Sequence, residues 1–210
     1  MSDEQRYAES LMFRALTPAV RALLLANIIV FALQWLTGDL AAFALYPWNA
    51  QQLYGTPSFE PWQLVTYAFL HGGFWHIFLN MLALYMFGPD VEDVIGSRRF
   101  TLYYFVCVIG AGITQLIVSS WVYPSPEATI GASGGIFGVL LFYGLMFPHR
   151  KVLVYFAIPM PAWLFVTLYG VLELYQGVAG TQQGVAHFAH LGGMAFGYPL
   201  ILYWRRRRYR

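Results

Sequence analysis

Few residues of this sequence can do chemistry, and those few stand in apolar surroundings. The stretch Gly131-Ala132-Ser133-Gly134-Gly135-Ile136-Phe137-Gly138 sets one hydroxyl among glycines, at the head of an apolar run that continues through Phe147. Glycine has no side chain to keep another chain away, so this hydroxyl can be closely approached. A serine is a weak nucleophile until a base takes its proton. His190, followed by Gly192, Gly193 and Gly197, is the candidate base, because those glycines let its segment pack tightly against that of Ser133. Acyl transfer also needs donors aimed at the developing oxyanion. His76 and Asn80 share one helix face at i and i+4 and can supply side-chain N–H groups; the backbone N–H of Ser133 can supply another. Phe137, one turn after Ser133, can stack on the His190 ring. The same residue types also admit plainer roles. Small residues let membrane helices come together, and a histidine in an apolar segment can simply staple two helices.

Other chemistries fit less well. His187 and His190 at i and i+3 could ligate a metal with His76, but the His-Glu-x-x-His of zinc proteases is absent, so neither metal nor cofactor is expected. Gly131 to Gly135 also fits the Gly-x-Ser-x-Gly elbow of soluble hydrolases, but that elbow needs a preceding strand and an alternation of strands and helices. Glu173 is read as water-facing or gating, with no catalytic role. No Asp or Glu stands at the matching depth in the segments of His76, Ser133 and His190, so the reading is a Ser–His dyad. His71 is assigned to an interfacial loop, His149 to a cytoplasmic loop, and Cys107 to a buried apolar position.

The elements that must position these residues follow from composition. Of 210 residues, 59% are hydrophobic and 10% charged, with mean hydropathy +0.54. A soluble domain carries about a quarter charged residues, so an integral membrane protein is expected. Its class is all-α and polytopic, with one domain over 1–210. Six runs are long and apolar enough to span: Ala19–Thr37, Phe74–Val91, Phe100–Trp121, Ser133–Phe147, Val152–Leu172 and Ala186–Trp204. The fourth is short. A long aromatic loop, Gly38–Gly73, separates the first two, and its Trp62–Leu70 stretch suits a helix in the membrane interface. The first run is too long for the apolar core of a cleavable signal peptide, and no small-residue cleavage site follows it.

All 12 Lys and Arg fall before or at the very start of run one (Arg21), between runs two and three, between runs four and five, or after run six. The positive-inside rule then places both termini, including about 1–18 and the basic tail 205–210, in the cytoplasm of a cell membrane. The tail is assigned to orientation and anionic lipid rather than nucleic acid. Ser133 to Arg150, His190 to Arg205 and His76 to Glu92 each correspond to roughly 22–25 Å of helix. The three polar residues therefore share one level, a few ångströms below the outer face.

These motifs resemble those of the rhomboid family of intramembrane serine proteases. His76-Ile-Phe-Leu-Asn80 is similar to its His-x-x-x-Asn, Gly131-Ala132-Ser133-Gly134 to its Gly-x-Ser-Gly, and His190-Leu-Gly-Gly193-Met-Ala-Phe-Gly197 to its His-x-x-Gly-x-x-x-Gly. Glu92-Asp-Val-Ile-Gly96 looks like its acidic-to-glycine motif. The likeness covers about 19–204, although the first loop lacks the Trp-Arg pair of many members. The resemblance implies a minimal six-helix bundle with a membrane-associated first loop. It also implies nucleophilic Ser133, base His190, oxyanion donors His76 and Asn80, and single-span membrane proteins as substrates, entering beside Tyr169 and Leu172. A client-binding relative without activity would have lost the serine or the base. A small-solute channel or transporter would carry polar residues through the whole depth or show paired broken helices.

Overall fold

A computed structural model describes residues 16–38, 40–154, 158–180 and 186–208. Arg6, Arg14, Arg210 and residues 181–185, between the predicted fifth and sixth runs, lie outside the described residues. Among the described residues, six helices of 14 or more residues carry the fold: α1 (Pro18–Thr37), α2 (Phe74–Ile95), α3 (Ser97–Ile117), α4 (Ser133–Met146), α5 (Ala162–Ala179) and α6 (His187–Arg208). Three of the helices are long and apolar enough to cross a membrane: α1, α3 with its π-helical extension to Val122, and α5.

Local sequence explains where these helices start and stop. Pro18 opens α1, where its missing N–H and fixed φ suit the first turn. The free N–H groups of Ala19 and Val20 each donate to the Glu92 carboxylate at 2.9 Å. Thr17 and Ser97 hydroxyls donate to the same group. An anion at a helix N-terminus is favoured by the helix dipole, and here it ties α1 to the junction of α2 and α3. Gly96, at φ 79°, makes that junction.

The fifth element differs from the predicted run 152–172. Lys151–Val154 and Ile158–Pro161 pair as an antiparallel hairpin, β1 and β2, with Lys151 opposite Pro161 and Val154 opposite Ile158. Pro159 and Pro161 lack the N–H that a helix interior needs and clash with the preceding turn. The helix therefore begins at Ala162 and extends to Ala179, seven residues past the predicted Leu172. Its burial is slight: Ala162, Val166 and Glu173 are its only buried described residues.

At the centre lies α4, buried over Gly134–Leu140 and Phe142–Gly144. A Cβ added at Gly193 of α6 would lie 1.9 Å from the Gly134 carbonyl oxygen, so the two backbones touch. Within the long loop, Gln63–Thr66 is a short helix and Tyr67–Phe69 a 3-10 turn. Tyr67 is buried and its hydroxyl donates to the Val108 carbonyl at 2.8 Å, while its own carbonyl accepts from the Gly131 N–H. The loop is thus anchored to α3 and to the entrance of α4. His71, assigned to an interfacial loop, is instead buried, with its backbone N–H and C=O both bonded to the Gln34 side chain.

Candidate active site

Ser133 is the first residue of α4 and His190 lies in the first turn of α6. The backbone contact of Gly134 with Gly193 sets these two helix starts side by side. His190 Nε2 lies 2.8 Å from Ser133 Oγ. Phe137 stacks on the His190 ring with centroids 4.2 Å apart and planes 4° from parallel. Tyr169 of α5 leans on the other side of this stack, 5.0 Å from the Phe137 ring.

Glu173, expected to be water-facing or gating, does not face water. It is 4% exposed, and its Oε2 lies 2.8 Å from His190 Nδ1 and 2.7 Å from His187 Nδ1. The predicted fifth run ends at Leu172, one residue short of Glu173, so this acid falls outside the segments from which a dyad is expected. With the hairpin before it, α5 starts at Ala162 and runs on to Ala179, which brings Glu173 to His190. The signal was present, because an ionisable residue in an apolar helix is expensive and calls for a partner.

The protons follow from the partners. An ionised carboxylate only accepts hydrogen bonds. Each Nδ1 facing Glu173 must therefore carry the hydrogen, which leaves His190 Nε2 as the acceptor for the Ser133 hydroxyl. Glu173, His187 and His190 present potential ligand atoms within 4.8 Å of one another, a closeness that two N–H groups donating to one oxygen already account for.

His76 is half-buried beside Gly131, and a Cβ at Gly131 would lie 2.7 Å from His76 Nε2 and 3.8 Å from Ser133 Oγ. Glycine at φ 121° keeps that gap open. His76 Nδ1 accepts from the Gly72 N–H at 3.2 Å, so Nε2 bears the hydrogen and is a donor beside the serine. Asn80 is buried one turn deeper, and its amide nitrogen donates to the His76 carbonyl at 2.8 Å. One of its two hydrogens is thus used within its own helix. The first N–H groups of α4 have no intrahelical partner and point, with the positive end of the helix dipole, to the same place. Beside the site, reaching His76 and His187 but not lined by Ser133 or His190, is a recess of about 960 Å³ that Ser119, Glu127 and Gln176 also line.

A family profile described as Rhomboid domain matches residues 58–207. The chain belongs to the rhomboid family. Among curated proteins this rhomboid is 33% identical over 185 residues to "Rhomboid protein 1, mitochondrial" of Saccharomyces cerevisiae, covering 85% of this chain and 51% of that one. It is 30% identical over 200 residues to "Rhomboid protease GluP" of Bacillus subtilis, covering 93% of this chain and 37% of that one. It is also 30% identical over 149 residues to "Rhomboid-type serine protease 2" of Emericella nidulans, covering 70% of this chain and 27% of that one. The chain spans about half or less of the length of these relatives. Family and apolar helices together make this rhomboid a multi-pass membrane protein.

Proposed function

We propose that this rhomboid is an intramembrane serine endopeptidase that cleaves transmembrane segments near the outer membrane face. The observation that carries the reading is the 2.8 Å contact of Ser133 Oγ with His190 Nε2; a recess lined by His76 and His187 lies beside it. Ser133 Oγ attacks a peptide carbonyl as its proton passes to His190 Nε2. The oxyanion is met by the N–H of Ser133, by His76 Nε2–H and by the remaining amide hydrogen of Asn80. Collapse breaks the C–N bond while His190 returns the proton to the leaving amine. Water then enters through the recess and hydrolyses the acyl-enzyme by the same exchange of protons.

All six long helices cross the bilayer in this reading, with Arg98, Arg99, Arg150, Lys151 and the arginine tail on the cytoplasmic side of a cell membrane. The long first loop lies in the outer interface. Substrates are single-span membrane proteins whose helix unwinds locally at the cut and approaches past α5.

The test is fluorophosphonate labelling of detergent-purified protein, with cleavage of a single-span test substrate measured alongside. Labelling and cleavage are expected in the wild type and lost in folded Ser133→Ala and His190→Ala variants. Labelling that survives Ser133→Ala would mean another nucleophile. A folded wild type that neither labels nor cleaves would favour a member that binds membrane clients without cutting them.

A further inference from the structure

Resting on the serine-protease reading, we propose that Glu173 is the positioning residue of the base, itself held by His187. The four side chains then form one proton-ordered chain: Ser133, His190, Glu173 and His187. Glu173 Oε2 lies 2.8 Å from His190 Nδ1 and 2.7 Å from His187 Nδ1, and all three residues are under 9% exposed. A carboxylate buried this deeply is strongly disfavoured unless paired and hydrogen-bonded. Two N–H donors on one oxygen meet the hydrogen-bonding part of that requirement, and the imidazolium formed on His190 during the reaction supplies the opposite charge.

The arrangement has two chemical effects. First, Glu173 selects the tautomer of His190, leaving Nε2 free to accept the Ser133 proton. Second, it stabilises the imidazolium that forms when Ser133 Oγ gives up that proton. Glu173 remains ionised throughout and the Nδ1 hydrogen stays on His190, so only one proton moves. The flat face of the imidazole is already held by Phe137; Glu173 fixes its rotation within that plane. His187 has a further property. Its Nε2 is buried with no hydrogen-bond partner among the described residues, and the residue lines the recess beside the site. His187 therefore stands between the carboxylate and that recess.

The role is separable from plain structural support. In Glu173→Gln an amide N–H can face His190 Nδ1, which turns the ring to the wrong tautomer. Serine proteases that lose the acid in this way keep their geometry and lose about 10⁴-fold in kcat. Here kcat is expected to fall about 10²- to 10⁴-fold with KM within about twofold, and Glu173→Asp is expected to restore at least about tenfold. His187→Gln, which keeps the carboxylate, is expected to lower kcat about tenfold, the worth of one hydrogen bond to a charged group. Nitrogen-15 NMR of histidine-labelled wild type reads the tautomers without any variant, and hydrogens on Nδ1 of both His190 and His187 are expected. Hydrogen on Nε2 of His190, or wild-type kcat in folded Glu173→Gln, would overturn the proposal. So would a Glu173→Asp variant no better than Glu173→Gln. A wild type that cleaves and a Ser133→Ala variant that does not, together with such a result, would leave the protease reading standing and remove Glu173 from it. Absence of cleavage in the wild type would instead remove the protease reading, while the tautomers would still report on the chain of hydrogen bonds.

Discussion

The ring of Phe137 covers one face of His190 so closely that it leaves the imidazole little freedom to tilt. An aromatic pair of this kind contributes about 0.5–1.5 kcal/mol beyond buried area. Phe137→Leu should therefore lower kcat about 2- to 10-fold while fluorophosphonate labelling persists at a slower rate; an unchanged rate would show that Glu173 alone orients the base. His71 makes a second prediction at this scale. Burial first, and then the neighbouring His76, push its pKa from 6.5 down to about 4, against a small opposing pull from the Phe69 carbonyl. The folded state thus takes up a proton later than the unfolded chain. Stability from the neutral ring is complete above pH 6.5 and is lost as pH falls toward about 4. Melting temperatures in detergent should fall through that window in the wild type and fall less in His71→Gln. Ser133, His190 and Phe137 were readable because each lies within a turn or so of a helix start that the apolar runs reveal. Glu173 was not, because its depth depended on a helix boundary set by hydrogen-bonding rather than by hydropathy.

At the scale of elements, the helices were legible in the apolar runs even across a single proline, since Pro89 lies inside α2 and Pro199 inside α6. The fifth run shows where hydropathy misleads: Val152, Leu153 and Val154 are as apolar as any helix, yet they pair as a strand because the chain must pass two prolines first. The hydropathy pattern also could not show how closely the helices pack. The contact of α4 with α6 has room only for backbone, since a Cβ on Gly193 would lie 1.9 Å from an oxygen of Gly134. Gly193→Ala should destabilise by about 1–3 kcal/mol or more and abolish cleavage by separating His190 from Ser133. Gly170 of α5 offers the contrast. Its added Cβ would meet only Met194, at 3.8 Å, an ordinary contact. Gly170→Ala should be neutral or stabilising by up to about 1 kcal/mol, as expected for alanine over glycine within a helix. Thermal unfolding of the two variants side by side checks both.

At the scale of the whole molecule, one carboxylate joins three helices. Glu92, 2% exposed, accepts from the backbone of Ala19 and Val20 and from Thr17 and Ser97. Glu92→Gln keeps the volume but removes the charge at the start of α1, and should destabilise by about 2–4 kcal/mol; a melting temperature within a degree or so of wild type would mean that α1 is held by its apolar contacts alone. The site is arranged differently from this clamp. Glu173 rides on α5, whose most apolar window is only 17% buried, against 28% for α1 and 44% for the long α3 segment. Regions with few buried contacts open locally at free energies well below that of global unfolding. Warming should therefore loosen α5 while α4 and α6 hold, withdrawing the carboxylate from His190 without melting the protein. Proteolysis would then fade at temperatures where circular dichroism still reports full helicity, and would return on cooling. Deuterium would reach the amides around Glu173 before it reached those behind Ser133.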